Sequence, residues 1–163
     1  MAAQGLRTLL RVLEVIRPAL TRPGFGNALV VFAGWVLTGD HHAVTQALVV
    51  TNVAARRDWS AFHRFFSRGS WAPDVMGGAL ITRLLTLIPP DEPIRAVIDD
   101  TLAAKKGPHV FGIGSHLDAV RSTKSFRVFC FGHVWVTLAI AVQPPFSHRT
   151  FALPVLFRLY RNK

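Results

Sequence analysis

The stretch VIDDTLAAKKG, residues 97–107, carries two adjacent aspartates at the end of an apolar run. Residues 94–101 favour β-structure, so the pattern predicts a buried strand that ends at Asp99 and Asp100. Side chains alternate along a strand, so the two carboxylates are expected on opposite faces. A buried carboxylate needs its charge compensated, and Mg²⁺, which prefers hard oxygen ligands, is one compensation. The residues leave open a second interpretation, in which Asp99, Asp100 and Thr101 form a turn or a helix N-cap.

Two more β-favouring segments follow this strand, at residues 128–142 and 153–159. The connection before them, residues 105–125, is rich in glycine, serine and basic residues, which predicts a loop. Within it, residues 112–115 resemble half of a phosphate-binding loop. They lack the Lys-Ser/Thr ending and the following helix, which favours a flexible turn.

The chain before residue 90 has helical periodicity. Apolar residues form a first stripe that Pro23, Gly24 and Gly26 close, and Asp74 is positioned to cap the last helix. The predicted helices cover residues 6–20, 27–38, 45–53, an aromatic segment stopped by Gly69, and 75–87. The sequence therefore predicts a mixed α/β protein, with a helical N-terminal region at 1–90 and the first strands of a sheet at 91–163.

The net charge of +10 on 163 residues points to a polyanionic partner, either nucleic acid or an acidic membrane surface; an effect on solubility alone is the alternative. The longest uncharged stretches, 23–39 and 128–148, hold apolar runs shorter than the roughly 20 residues that cross a bilayer. The N-terminus lacks the layout of a signal peptide. The single cysteine, Cys130, fits a reducing compartment, so we expect a cytoplasmic protein.

Basic residues provide candidate contacts to DNA phosphates. Those of the helical region lie near the aromatic segment, and those of the sheet region flank the acidic pair: Arg56, Arg57, Arg64, Arg68, Lys105, Lys106, Arg121, Lys124 and Arg127. A solvated basic face is the alternative for any one of them. The helical spacing of Trp59, Phe62, Phe65 and Phe66 favours a core stripe over a base-stacking surface.

Other constellations are weaker. His109, His116, Cys130 and His133 contain metal-ligand types, but Cys130 and His133 fall on opposite faces of a strand, whereas zinc needs converging ligands. Ser115 or Ser125 beside a histidine lacks the strand-turn-helix setting of a hydrolase nucleophile.

Four segments together resemble the DDE-type transposases of bacterial insertion sequences. They are VIDDTLAAKKG, FGIGSHLDAVRSTKSFRVFCFGHVWVTLAI, LPVLFRLYRNK and the upstream ARRDWSAFHRFFSRGSW, and the resemblance runs from about residue 17 to the end. It implies a ribonuclease H-like sheet, Mg²⁺ as cofactor, and DNA cleavage and strand transfer at transposon ends. It also implies that Asp100 is the catalytic metal ligand, with Asp99 and Thr101 in supporting positions beside it.

The sequence departs from that family in its acidic residues. The resemblance calls for three carboxylates, but the only acidic residue after Asp100 is Asp118, and no glutamate follows Glu92. We therefore expect an N-terminal fragment, inactive in cleavage, that binds DNA as a nucleoid-associated protein and pairs with itself or with a full-length transposase. A non-catalytic basic DNA-binding module is the alternative, and a peripheral membrane protein is a third class. An unfinished sheet also predicts marginal solubility.

Overall fold

The computed structural model describes residues 2–39, 42–53, 55, 58–107 and 109–161, and its contacts divide the chain into two compact units, Met1–Leu80 and Ile81–Lys163. The helices are α1 (Ala2–Glu14), α2 (Arg22–Leu37), α3 (Val44–Val50), α4 (Trp59–Arg68) and α5 (Pro73–Leu85), with a 3₁₀ turn at Arg17–Ala19. The strands are β1 (Arg95–Ala104), β2 (Gly114–Leu117), β3 (Phe129–Val142) and β4 (Phe151–Tyr160). This order confirms the predicted mixed α/β class, with helices first and strands after them. In the described part of the chain, no helix has both the length and the apolar character needed to cross a bilayer.

The core of the first unit lies among α2, α3 and α4. Val31, Leu48 and Phe62 are almost fully buried and pack together, one from each helix. The predicted aromatic stripe is therefore partly correct: Phe62 and Phe65 are buried, but Trp59 and Phe66 are 39% and 42% exposed.

Several helix boundaries differ from the sequence prediction, and two of the differences have a clear local cause. Pro23 and Gly24 do not close a helix but lie in the first turn of α2, where the Thr21 hydroxyl accepts a hydrogen bond of 3.2 Å from the Gly24 N–H. Proline fits there because the first-turn N–H groups have no helical partner. Helix α3 ends three residues before the predicted Val53, because Asn52 adopts a left-handed φ of 54° and the Val53 N–H then caps the Leu48 carbonyl.

Strand β3 is the centre of an antiparallel sheet. It pairs with β1 along one edge, and with β2 and β4 in succession along the other. Strand β2 was not predicted: Gly114 and Ser115 pair with Gly132 and Phe131 instead of forming a flexible turn. Strand β1 extends to Ala104, so Asp99 and Asp100 lie in its middle and not at its end, which corrects the prediction.

The β3–β4 ladder contains one bulge. Leu156 pairs with Leu138 and Pro154 pairs with Ala139, so Val155 between them is the extra residue. Proline has no N–H to donate to the ladder. It is tolerated at this point because the bulge already interrupts the regular hydrogen bonding. Because of this extra residue, even-numbered side chains of β4 lie on one face of the sheet before the bulge and on the other face after it.

The prediction of a buried first strand is wrong. Every residue from Arg95 to Thr101 is exposed, and Ile98 reaches 72%. Large side chains on the other strands are also exposed, including Phe131 at 65% and Phe157 at 53%. Burial of a strand depends on what packs on its faces, and the buried hydrophobic residues described in the second unit lie on the other two long strands, Ala139, Ile140 and Val142 on β3 and Val155 on β4.

The close approach of α2 and α3 yields a stability prediction. A Cβ on Gly34 would lie 2.5 Å from Ala47 Cβ and 2.6 Å from its carbonyl oxygen, whereas one on Gly26 in the same helix would meet nothing within 4 Å. We expect Gly34→Ala to lower the free energy of unfolding by about 1–3 kcal/mol through overpacking. Gly26→Ala should raise it by about 0.5–1 kcal/mol through helix propensity. Urea unfolding followed by circular dichroism at the helix band measures both, and equal effects would contradict the packing.

Candidate functional site

Asp100 lies on a sheet face that also carries a cavity. It pairs with Val136 of β3, and Val136 pairs on its other side with Arg158 of β4. Partners in register share a face, so Asp100 and Arg158 flank Val136 at a backbone separation of about 10 Å, two strand spacings. The cavity has a volume of about 480 Å³, and its lining includes Asp100, Val136, His116 and Tyr160.

The neighbours of Asp100 in the acidic motif alternate with it along β1, although Asp99 also contributes to the lining of the cavity. Asp99 and Thr101 pair with Thr137 and Trp135, which alternation puts on the opposite face. The Asp99 carboxylate accepts a hydrogen bond of 2.9 Å from the Asp100 N–H. Both carboxylates are exposed to water, which hydrates them, so burial supplies no reason for a metal ion at this strand. This corrects the argument that burial of the acidic pair calls for a cation.

The other polar side chains of the cavity do not join Asp100 in one cluster. His116 contacts the Tyr160 ring with 5.9 Å between ring centroids, and its Nε2 is buried without a hydrogen-bond partner in the described part of the chain. His116 pairs with Cys130, six residues along β3 from Val136, which corresponds to about 20 Å of strand. Across the described ranges, no group of three or more His, Cys, Asp or Glu side chains is arranged to hold a metal ion.

The histidines proposed as zinc ligands have other surroundings. His133 pairs with Ala103, and its Nε2 donates to the Phe111 carbonyl at 2.8 Å. Cys130 donates to the Phe131 carbonyl at 3.4 Å. These contacts give no support to a zinc site.

Sequence reasoning missed Arg158. It stands in a segment that was predicted as a strand, but alternation alone does not say which face of β4 meets the face of Asp100. The Arg158 guanidinium donates to the Phe157 carbonyl at 3.0 Å, and Arg158 lines a shallow groove with Ile98 and Val136. Arg158 is identified as a cation on the same face as Asp100 only by the pairing of β1, β3 and β4, in which both residues are partners of Val136.

Five of the predicted DNA-contacting residues gather at one end of the sheet. Strand β1 ends where β3 begins, and the loop between β2 and β3 starts there as well. These residues follow β1 or lie in that loop and are all exposed: Lys105, Lys106, Arg121, Lys124 and Arg127. Arg121 is partly neutralised, because its Nε lies 3.5 Å from an Asp118 carboxylate oxygen.

The helical unit holds two described members of the predicted basic set. Arg68 is the last residue of α4 and is exposed. Arg64 donates to the Asp58 carboxylate at 3.1 Å, so part of its charge is already balanced within the helix. Arg56 and Arg57 lie outside the described residues.

Asp58 is the N-cap of α4, and hydrogen bonds to it shift its acidity. The Ser60 hydroxyl donates to one carboxylate oxygen and the Ser60 N–H donates to the other at 2.9 Å. These bonds, and then Arg64, lower the pKa of Asp58 below its ordinary value, because they stabilise the charged form.

Comparison with known proteins identifies a family. The sequence profile described as DDE superfamily endonuclease matches residues 16–163, nearly the whole chain. No curated protein and no solved structure matches the chain significantly.

The lowered pKa of Asp58 gives a pH prediction. Asparagine is also a good N-cap, so Asp58→Asn removes the charge and keeps a side-chain acceptor. We expect the wild type to melt at a higher temperature than the variant above the unfolded-state pKa of about 3.9. That advantage should be lost as the pH falls from the unfolded-state pKa through the lower folded-state pKa. Below both values Asp58 is protonated in the unfolded and in the folded protein, so its charge no longer favours folding. Thermal melts from pH 6 downward test this, and a pH-independent difference would contradict it.

Proposed function

Because the chain belongs to the DDE superfamily of endonucleases, we propose that it derives from a transposase and that these 163 residues bind DNA without cutting it. The observation that carries the proposal is the isolation of Asp100. It occupies the acidic motif on an exposed strand, and the part of the chain that the structure describes has no cluster of metal-binding side chains around it.

The metal requirement of the family supports this division between binding and cutting. Enzymes of this superfamily act with divalent metal ions. The Asp100 carboxylate has the hard oxygens that Mg²⁺ prefers, so we propose it as the family's first ligand, with Asp99 and Thr101 beside it on the other face. One exposed carboxylate is a single ligand, however, and phosphodiester cleavage by two ions needs several. The described residues therefore do not fit a complete metal site.

Binding to DNA depends on charge. The net charge is +10, and the five basic residues at one end of the sheet are exposed on neighbouring segments of the second unit. Lysine and arginine at phosphates release condensed counterions, which gives affinity without sequence preference. In this proposal the sheet end contacts the duplex backbone, and Arg64 and Arg68 add contacts from the helical unit. Pairing with a full-length transposase at transposon ends would then deliver the missing carboxylates.

A mobility shift with a salt titration tests the DNA contact. We expect duplex DNA to bind with a steep decline of affinity against salt, and Lys105→Gln/Lys106→Gln to reduce the log–log slope by about 2, one for each lost phosphate contact. Arg7→Gln/Arg11→Gln on α1 is the control, because it removes the same charge from exposed positions outside the proposed surface. Equal slopes for the two double variants would contradict this surface.

A nicking assay tests the absence of cutting. Supercoiled plasmid incubated with the wild type and Mg²⁺ or Mn²⁺ should stay intact, and Asp100→Asn should behave the same, because a lone carboxylate lacks the other ligands for catalysis. Asp91→Asn is the matched control, because Asp91 is an exposed aspartate outside strand β1. Metal-dependent nicking that disappears only in Asp100→Asn would overturn the proposal and make the chain an active nuclease.

A further inference from the structure

A second cavity lies at the opposite end of the sheet from the basic residues. Its volume is about 460 Å³, within the usual range of ligand pockets. One wall is the segment that leads into β1, and the other is the connection from β3 to β4. Neither the acidic motif nor the basic end of the sheet contributes a lining residue.

Both walls are held in shape before any ligand arrives. The Glu92 N–H donates to the Pro89 carbonyl at 3.0 Å, and the Ser147 N–H donates to the Pro144 carbonyl at 3.0 Å. The Gln143 side chain donates to the Ser147 carbonyl at 3.2 Å. Prolines fix φ on both walls, so little conformational entropy is lost on binding.

Three kinds of chemistry line this cavity. Arg95 and His148 supply hydrogen-bond donors that suit a phosphate, and Glu92 supplies a carboxylate acceptor. None of the ion pairs among the described residues involves Glu92 or Arg95. Phe146 is 89% exposed at the cavity, so a flat aromatic surface stands open beside the polar groups.

We propose that this cavity binds one unpaired nucleotide of a DNA strand and, between the two pyrimidines, prefers cytosine to thymine. The base stacks on Phe146, its phosphate accepts hydrogen bonds from Arg95 and His148, and Glu92 reads the base edge. Cytosine offers an amino donor at N4, where thymine has the O4 acceptor, so only cytosine satisfies a carboxylate there. Aromatic stacking is the usual way in which proteins hold single-stranded bases. This inference rests on the proposed DNA binding and adds a site for strands that are opened.

Fluorescence anisotropy with labelled oligodeoxycytidylate and oligodeoxythymidylate of equal length tests the base preference. The wild type should bind the cytosine strand at least about fivefold more tightly. Glu92→Ala should abolish this preference, and Asp91→Ala should keep it, because Asp91 carries the same charge next door but does not line the cavity. Both variants lose one negative charge, so any general gain in affinity is common to them.

Two further pairs test stacking and phosphate binding. Phe146→Ala should weaken both oligonucleotides about tenfold, and Phe157→Ala, at a phenylalanine 53% exposed outside the cavity, should not. Arg95→Gln should weaken both more than Arg149→Gln does, since Arg149 is adjacent to His148 but outside the lining. The substituted side chains are exposed, so the variants are expected to fold.

Equal affinity for the two strands, or identical behaviour within the matched pairs, would overturn the cavity assignment. Duplex binding measured on the same variants separates the two proposals. If duplex binding persists while the cytosine preference is absent, only the cavity assignment fails. If neither the wild type nor the variants bind duplex DNA, the proposed function fails. The cytosine preference measured with oligonucleotides then still tests whether the cavity binds a nucleotide.

Discussion

Strand β3 is hydrogen-bonded along both edges, and within the described residues β1, β2 and β4 each pair with β3 and with no other strand. Its pairing register therefore determines which side chains meet on each face. Because Val136 is the shared partner of Asp100 and Arg158, the acidic motif has a cation two strands away. A slip of one residue in either ladder would move these side chains to opposite faces, so the geometry of the site is a property of β3 as much as of the motif.

The acidic motif differs from a functional metal site in its exposure to solvent. Strongly held divalent ions in proteins have several ligands whose negative charge is concentrated and partly shielded from water. Asp100 is exposed and has an apolar partner in register, and the other polar residues that line the cavity are Asp99, beside it on the same strand, and His116 and Tyr160 on other strands. The sheet thus preserves the position of the motif without the electrostatic environment that would concentrate a cation there.

Much of the fold was readable from the sequence because β-rich runs are local signals. The segments 128–142 and 153–159 were predicted within two residues of β3 and β4. Strand β2 was missed because Gly114 and Ser115 have little intrinsic β-preference and become a strand only through Gly132 and Phe131.

The candidate site was predictable only in part. The acidic motif drew attention to Asp100 through adjacent charges in a basic chain, and the family resemblance gave it a role. Arg158 and the cavity between residues 87–95 and 141–150 could not be found this way, because each depends on contacts between segments far apart in sequence. The burial of β1 was misjudged for a related reason. An apolar run shows that a strand could be buried, but it does not show whether another segment packs on it.

The bulge at Val155 and the adjacent Pro154 make the two outer edges of the sheet unequal. Strand β4 has an interrupted ladder and a proline that cannot donate to a neighbour, both of which discourage the addition of another strand. Strand β1 pairs with β3 without a register shift and contains no proline. Growth of the sheet is therefore directional: a further strand, from whatever source, finds a regular template beside Asp100 and an obstructed one beside Pro154.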